Sequence, residues 1–430
     1  MRNPTLALLA AIASAIAIAA PAPAATFDVT SEADVPDDAI GDGTCHAELG
    51  LPGVCTLRAA VQEANAHAGA DTISLSAGQH YTLTRSGQDA TASNGDLDIT
   101  DDTTILFFAS GERPVVDAGG LERAFEIHAG NVTMLGFDVT GGDATLAGDA
   151  TGGGIAIDFD AGIVQLSLLN IYGNRANFGA GVYNDGPSTT VSASNIHDNE
   201  YVESSAESSG AAIRNRGTMQ LDHSAVFANH GVDGQGAVAV SNHPPNTGSS
   251  SLDIVNSTIA QNVGVGIESE SEAAGNEASL FVSNATVAGN TAVGLRISGS
   301  AGAFTMRNSV VARNGDFDCQ VSSSMLLDLD LDHYNADSDG TCALDDGPSN
   351  NVGIETLLTP VERHGGLTYA SWPLTTSVLI DLGPITGCED DDQHFLERSV
   401  DFDGSGIANC DTGAIEMSDD VIFFDPMERL

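Results

Sequence analysis

Oxygen-bearing side chains alternate along an acidic segment in the C-terminal third of the chain. Asn335, Asp337 and Asp339 occupy every second position, Gly340 follows them, and Asp346 is the twelfth residue counted from Asn335. Ca²⁺ prefers oxygen ligands, and alternate positions of a tight loop turn such oxygens to one side, with a glycine permitting the bend. The spacing predicts a calcium-binding loop. An acidic turn is the alternative, because Asn opens the segment and Asp closes it where an EF-hand has Asp and Glu.

A second acidic loop has a similar composition. Asp401 and Asp403 alternate and are followed by Ser405 and Asn409. The same preference of Ca²⁺ for oxygen predicts a calcium site at this loop, with an acidic turn again as the alternative. Calcium is the one cofactor that the sequence indicates.

Side chains that can act on a polysaccharide are scattered through the middle of the chain. Polysaccharide lyases need acidic calcium ligands and a basic residue, and glycoside hydrolases need two carboxylates that face each other. The candidates are His197, Asp198, Arg214, Arg216, Arg296, Arg307, Arg313, Asp316 and Asp318. No known catalytic motif joins them, and lysine is absent from the chain. The pattern favours a protein without catalytic activity, and we assign no catalytic residue.

The chain is strongly acidic. Its 60 Asp and Glu residues face 14 basic residues, all arginine, which gives a formal charge of −46. Nucleic acids require basic patches, so this balance excludes a nucleic-acid partner. The expected partner is a polysaccharide or another cell surface.

The first residues have the pattern of an export signal. Arg2 precedes an apolar run over 6–20, and residues 22–24 read Ala-Pro-Ala, which is typical of a cleavage site. The run is shorter than the roughly 20 residues of a membrane span. The pattern predicts a signal peptide over 1–24, a mature chain without a transmembrane segment, and a secreted or outer-surface location.

Six cysteines form three couples that are close in sequence. An even number in an exported chain indicates disulfides, although six cysteines allow about 15 connectivities. We expect pairing in sequence order, namely Cys45 with Cys55, Cys319 with Cys342, and Cys388 with Cys410.

The middle of the chain repeats a pattern around single asparagines. These repeat asparagines are Asn174, Asn199, Asn229, Asn262, Asn290 and Asn314, with spacings of 25, 30, 33, 28 and 24 residues. Ile or Val stands three positions before each, and another apolar residue stands eight positions before each. Short alternating strands broken by small polar residues, at this repeat length, predict the coils of a parallel β-helix.

The repeat asparagines have a structural role in such a fold. Asn tolerates the left-handed backbone of a sharp bend, and amides at the same place in successive coils can hydrogen-bond along the axis. We therefore predict a structural ladder at these six positions. A second ladder is expected through Asn256, Asn284 and Asn308, six positions before their repeat asparagines.

A solenoid exposes its core at each end and must be capped. Leu57, Ala60, Val61 and Ala64 have the spacing of one helical face, and Thr56 is suited to cap the helix N-terminus. The sequence predicts a short N-terminal capping helix.

The same segment carries a family resemblance. Residues 55–65 resemble the signature of the CSLREA domain, with Thr56 and Ala59 where that motif has Ser and Glu. Residues 365–368, 380–383 and 410–416 resemble the end of choice-of-anchor β-helix proteins. The resemblance implies an exported bacterial right-handed parallel β-helix of the pectin-lyase-like fold, related to polymorphic outer-membrane protein repeats. It implies no particular reaction, because this fold hosts enzymes and adhesins alike.

These patterns predict an all-β chain in five parts. The parts are a signal peptide (1–24), a cap with the first coils (25–110), β-helix repeats (111–318), an acidic disulfide-containing region (319–416) and a tail (417–430). Variable loops between regular coils favour a non-catalytic protein that displays them for adhesion or extracellular binding. A polysaccharide lyase or glycoside hydrolase of the same fold is the alternative.

Overall fold

The computed structural model describes residues 23–47, 53–146, 150–202, 210–246, 248–271, 275–299, 302–322, 329–344, 350–364, 366–385, 388–402 and 404–418. For Leu329–His333 it describes the backbone. Most of the predicted signal peptide and most of the predicted tail lie outside these ranges, as do Gly365, Asp346 and Asp403.

Each coil contains three short strands, and equivalent strands of successive coils pair in parallel. Alternation of apolar and polar residues turns one side of each strand inward, so that Val164, Leu166, Ile171 and Val182 of one coil are all fully buried. The described residues form about nine such coils. The predicted all-β parallel β-helix is confirmed.

Three long sheets run along the stack from its N-terminal end. In spatial order, sheet 1 has 11 strands among the described residues: Thr26–Asp28, Asp71–Ser74, Thr103–Leu106, Gly130–Leu135, Ala161–Ser167, Ser188–Ser192, Thr218–Asp222, Ser250–Val255, Ala278–Ser283, Phe304–Arg307 and Leu329–His333. In the same direction, sheet 2 has 10 in these ranges: His80–Thr82, Val115–Asp117, Asp138–Thr140, Asn170–Tyr172, Asn195–His197, Ala225–Phe227, Thr258–Ala260, Thr286–Ala288, Val310–Ala312 and Ala336–Asp337.

Sheet 3 has nine strands in the described part of the chain: Leu97–Ile99, Phe125–Ile127, Ile155–Ile157, Val182–Asn184, Ile213–Asn215, Ala237–Asn242, Gly264–Ser271, Val293–Gly299 and Phe317–Val321. A small fourth sheet joins Arg175–Ala176, Glu200–Tyr201 and His230–Gly231. Short 3₁₀ turns lie at Ala144–Leu146 and Val232–Gly234. The stack runs from Thr26 to Asp337, so the boundaries predicted at 110 and 318 fall inside it.

The core is built from columns of aliphatic residues that stack in register. The residues three positions before the repeat asparagines form one column: Ile171, Ile196, Val226, Ile259, Val287 and Val311. Those eight positions before form another: Leu166, Val191, Leu221, Ile254, Val282 and Met306. All are buried, and full burial of such a side chain contributes about 1.5–3 kcal/mol, so these columns hold the coils together.

The six repeat asparagines form the predicted ladder. The Nδ2 of each donates to the Oδ1 of the next at 2.9–3.1 Å, from Asn174 through Asn314. At the last coil Asn314 Nδ2 donates to Asp318 Oδ1 at 3.1 Å, which ends the series. The backbone N–H of each ladder asparagine also donates to the Oδ1 of the next asparagine, as that of Asn199 does to Asn229 at 3.0 Å.

The backbone role that we predicted for these asparagines is wrong. The left-handed residues lie one position before them, at Gly173, Asp198, Ala228, Gln261, Gly289 and Arg313, and six positions before them, at Leu168, Ala193, His223, Asn256, Asn284 and Asn308. The left-handed position at the bend is therefore occupied by residues of different types. The ladder position itself needs a side-chain amide that both donates and accepts hydrogen bonds.

Of the second predicted ladder, the contact between Asn284 and Asn308 is present. The side-chain amides of Asn308 and Asn284 lie 3.0 Å apart, whereas Asn256 Oδ1 accepts from Arg398 at 3.2 Å. A further buried ladder, which the sequence did not predict, runs on the inner side of sheet 3 and joins Asn184, Asn215, Asn242 and Ser269 at 2.8–3.1 Å.

One helix, α1, covers the N-terminal end of the coils at Leu57–Ala66. The side chain of Thr56 accepts a hydrogen bond from the backbone of Ala59 at 3.1 Å and caps the helix. The predicted face is buried against the first coils. No helix in the described part of the chain is long and apolar enough to span a membrane.

The three disulfides join the cysteines in sequence order. Cys45–Cys55 lies directly before α1, Cys319–Cys342 ties the last strand of sheet 3 to the loop after sheet 2, and Cys388–Cys410 lies in the C-terminal segment.

The C-terminal segment, which comprises the described residues between 350 and 418, runs back along the outer side of sheet 2. Leu358 and Leu379 pack on the small residues Ala260, Ala288 and Ala312. Further contacts along the coils are those of Tyr369 with Phe227, Phe395 with His223, Arg398 with Asn256, and Thr412 with Asn308. We call this segment the strap.

Candidate functional site

The outward side of sheet 3 carries a row of polar and aromatic residues. In each strand the residues on either side point into the core, and the middle one points out, as Tyr183 does between Val182 and Asn184. In register, the middle positions are Asp98, Glu126, Ala156, Tyr183, Arg214, Ser241, Glu268, Arg296 and Gln320. A second row two residues further along the chain contains His128, Asp158, Asp185, Arg216 and His243.

The larger of two clefts on this face, cleft A, lies over the middle coils. It has a volume of about 500 Å³ and is lined by Thr151, Asp158, Phe178, Tyr183, Asp185, Arg214, Arg216, His243, Pro244 and Asn246. Two arginines, two aromatic rings and two aspartates thus surround one opening.

The two arginines of cleft A are held in place by neighbouring coils. Arg214 lies over the ring of Phe178, 5.7 Å from its centre, and donates to Ser241 Oγ at 3.1 Å. Burial lowers the pKa of Arg214 to about 10. Arg216 donates to the hydroxyl of Tyr183 at 2.8 Å, and burial raises the pKa of Tyr183 while Arg216 opposes the rise. Such fixed guanidinium groups are suited to carboxylates.

The smaller cleft, cleft B, lies over the first coils of the same face. It has a volume of about 380 Å³ and is lined by Gln88, Asp89, Ala90, Asp96, Arg123, Glu126 and His128. Asp158, which lines cleft A, bonds to His128 of cleft B at 2.7 Å, so the two clefts adjoin along sheet 3.

Cleft B concentrates negative charge around few cations. His128 lies between Asp158 and Asp98, with its two ring nitrogens 2.7 and 2.8 Å from their carboxylate oxygens. These hydrogen bonds, first that of Asp158 and then that of Asp98, raise the pKa of His128 to about 10. Burial raises the pKa of Asp96 to about 8 although Arg123 opposes the rise.

The residues predicted to bind calcium near Asn335 have other partners. Asn335 Oδ1 accepts from the backbone N–H of Ser309 at 3.1 Å, which continues a series in which a backbone N–H donates to a buried side-chain oxygen of the next coil. Both oxygens of Asp337 accept backbone N–H groups, from Gly353 at 2.8 Å and Cys342 at 3.0 Å. Asp339 accepts from Thr341 and from Asp318. Because Asp346 lies outside the described residues, calcium at this loop stays a prediction.

The second predicted calcium loop is described in part. Asp401 Oδ2 accepts from the backbone of Gly406 at 2.9 Å, and Asn409 Nδ2 donates to the carbonyl of Asp381 at 3.0 Å. Asp403 lies outside the described residues, so this site also stays a prediction.

Most scattered candidates for catalysis have separate structural contacts. His197 bonds to Asp198 and stacks between Tyr172 and Phe227. Arg307 pairs with Glu389 of the strap, and Arg313 with Glu355. Of the arginines that the sequence offers as candidates, the structure brings together Arg214 and Arg216.

Sequence reasoning missed Asp98, Glu126, His128, Tyr183 and Phe178. A signal was present, because seven of the nine described strands of sheet 3 read apolar–x–Ile or apolar–x–Asn, which marks the middle residue as outward-facing. The repeat asparagines align the coils after sheet 2, whereas the loops before sheet 3 vary in length, so the register of sheet 3 is not apparent from the repeat.

Comparisons with known proteins agree with the geometry. A family model described as a right-handed β-helix region matches residues 131–311, and together with the parallel stack it defines the class of fold: a right-handed parallel β-helix. A solved structure, the crystal structure of pectate lyase Pel9A, is similar with a TM-score of 0.53 and 15% identity, over 92% of this chain and 96% of that chain. At this identity the likeness shows the fold alone. No curated protein sequence matches the chain.

Proposed function

We propose that this protein is exported and binds an acidic polysaccharide in cleft A. The observation that carries the proposal is the pair Arg214 and Arg216 beside Phe178 and Tyr183. Guanidinium groups pair with the carboxylates of uronate sugars in a two-point geometry, and aromatic rings pack on sugar faces. Such a cluster stands out on a surface whose formal charge is −46.

The two adjoining clefts on the outward side of sheet 3 support a polymeric ligand. Cleft A and cleft B adjoin through Asp158, and strands of neighbouring coils lie about 4.8 Å apart. A polymer laid along the axis therefore meets side chains of several coils in turn. The sequence predicts adhesion through displayed loops. In this proposal the ligand binds to the outward side of sheet 3 instead.

Export rests on the predicted signal peptide and the three disulfides. Disulfides form in oxidising compartments outside the cytoplasm, and residues 22–24 suit cleavage. The N-terminal sequence of the protein recovered from its producing cells is expected to begin at Ala25.

The test of binding is calorimetric titration with oligogalacturonate and with a neutral oligosaccharide of equal length. We expect binding of the acidic oligomer alone, weaker at high salt, and at least about tenfold weaker in the double variant R214Q/R216Q. R307Q is the matched control, because Arg307 pairs with Glu389 of the strap and does not line cleft A. Equal affinity for the neutral oligomer, or an unchanged affinity in the double variant, contradicts the proposal.

A polysaccharide lyase is the second candidate, favoured by the tyrosine–arginine pair in cleft A. In β-elimination a base removes the proton at C5 of a uronate, the C4–O bond breaks, a C4=C5 double bond forms, and the leaving oxygen takes a proton. Arg214 would serve as base, and Tyr183, to whose hydroxyl Arg216 donates at 2.8 Å, as proton donor. Ultraviolet absorbance of unsaturated ends, present with the native protein and lost in both R214Q and Y183F, would establish it; binding without such products leaves the non-catalytic function.

A further inference from the structure

Three side chains of cleft B converge from two neighbouring coils. Asp98 and Glu126 occupy paired middle positions of sheet 3, and His128 follows two residues after Glu126. One ligand atom of each lies within 4.8 Å of the other two. Around an ion bound at about 2.1 Å, ligand atoms lie about 3–4 Å apart, so small side-chain shifts suffice to close the site.

Each of these residues is anchored through its other polar atom. Asp98 Oδ2 accepts from the backbone of Ala92 at 2.8 Å, while its Oδ1 faces His128 Nε2 at 2.8 Å. Glu126 Oε1 is paired with Arg123, while its Oε2 lies 3.9 Å from His128 Nε2. Each carboxylate is therefore held through one oxygen, and its second oxygen lies toward His128 Nε2.

The imidazole is oriented by a carboxylate of the next coil. His128 Nδ1 lies 2.7 Å from Asp158 Oδ2, so Nδ1–H donates to Asp158 while Nε2 faces Asp98 and Glu126. A metal ion bound at Nε2 would take the place of the proton that this nitrogen shares with Asp98. A carboxylate behind a histidine is the usual arrangement at metal sites, where it fixes the tautomer and strengthens the ligand.

A separate observation concerns a further carboxylate of the same cleft, which is buried and incompletely hydrogen-bonded. Asp96 lines cleft B and is 2% exposed, yet its Oδ2 accepts no hydrogen bond within the described residues. Its 3.5 Å contact with Arg123 Nε is an ion pair without hydrogen-bond geometry. A buried carboxylate oxygen in this state costs free energy unless a cation or a proton compensates it.

We infer that Asp98, Glu126 and His128 form a divalent metal site, with Asp158 as the residue that positions the histidine. One imidazole and two carboxylates suit a transition ion such as Zn²⁺ better than Ca²⁺, which takes oxygen ligands. The site is distinct from the two predicted calcium loops. Because Glu126 and His128 line cleft B, the remaining coordination positions face solvent.

The test uses the purified full chain, freed of metal and titrated with Co²⁺ and then Zn²⁺. Bound Co²⁺ gives visible absorption bands, and Zn²⁺ is expected to displace it with one ion per chain. H128Q and D98N are expected to abolish the bands, and D158N to weaken affinity by about 10–100-fold, as loss of an orienting carboxylate does. H197Q is the matched control, because His197 also contacts an aspartate but lies on sheet 2.

Circular dichroism separates loss of the site from loss of the fold. If H128Q does not fold, E126Q and D158N serve in its place, and a crystal soaked in Zn²⁺ is examined by anomalous scattering. An ion found between residues 98, 126 and 128 supports the inference. Unchanged Co²⁺ bands in the folded variants, or binding of Ca²⁺ that is insensitive to H128Q, overturns it.

Discussion

At the scale of single residues, the ladder asparagines show why one amide per coil is specified so strongly. Asn229 is 1% exposed, donates to Asn262 and to backbone carbonyls, and accepts from Asn199. An aspartate lacks the N–H donors that this position uses, and the hydroxyl of Ser or Thr has a single donor hydrogen. An apolar residue offers neither donor nor acceptor. The repeated asparagine is therefore a hydrogen-bonding requirement and not a backbone one.

Replacing Asn229 by Ala is expected to lower the free energy of unfolding by at least about 2 kcal/mol, because it leaves two buried N–H donors of Asn199 without their acceptor. Denaturant unfolding followed by circular dichroism measures the loss. N131A is the control, since Asn131 is exposed, and its change is expected to stay near 0.5 kcal/mol. A loss in N229A no larger than in N131A contradicts the role of the ladder.

At the scale of elements, α1 closes the stack where the first coil has no neighbour. The buried side of α1, with Leu57 and Val61, joins the same core as Ile73 and Ile99. Arg58, 1% exposed, pairs with Asp34 and donates to backbone carbonyls of the loop before sheet 3. The helix therefore covers the apolar end of the coils and fixes the adjoining loop at the same time.

Replacing Thr56 by Ala is expected to destabilise the protein by about 1–2 kcal/mol, since it removes the helix cap and a hydrogen bond to Val35. T56S keeps the hydroxyl and is expected to restore most of this stability. The midpoints of denaturant unfolding of the two variants make the comparison. Equal loss in both would mean that the methyl group, and not the cap, is responsible.

At the scale of the whole molecule, the strap closes one of the three long faces of the stack. It covers the outer side of sheet 2 with Leu358 and Leu379, and it is fastened by Arg398, which bonds to Asn256 and Glu416. The clefts lie on sheet 3 instead. A ligand that follows the long axis therefore meets the polar row of sheet 3.

The strap makes stability depend on pH. Burial raises the pKa of Asp411 from an ordinary 3.8 to about 8. Burial also raises the pKa of the neighbouring Glu416. The folded protein thus retains a proton that the unfolded chain releases near pH 4, so this contribution to stability is full below pH 4 and is lost as pH rises through about 8. We expect the melting temperature to fall between pH 5 and pH 9.

The variant D411N should make this fall shallower, because an amide does not titrate. Repulsion within a chain of charge −46 also grows with pH, so the comparison is with D316N, an exposed aspartate outside the strap. Melting curves over the pH range test the difference. Parallel profiles for D411N and D316N would assign the whole effect to general repulsion.

The sequence by itself determined the coils, the ladder and the capping helix. Each depends on local spacing: Ile171 and Ile196 precede their asparagines by the same three positions, and Thr56 precedes an apolar helical face. Residues at the same distance in sequence from the repeat asparagine must occupy equivalent positions in successive coils. The pairing register of those strands therefore follows from the repeat alone.

Only the tertiary structure decided the clefts and the covered face. Asp98, Glu126 and Asp158 are separated by loops of unequal length, and they meet because their strands pair in parallel. The contact of Tyr369 with Asn195 spans 174 residues, and no local pattern encodes which side of the coils a returning segment will cover. The two clefts are built between coils, where neighbours in space are 24 or more residues apart in sequence, and that proximity is created by folding.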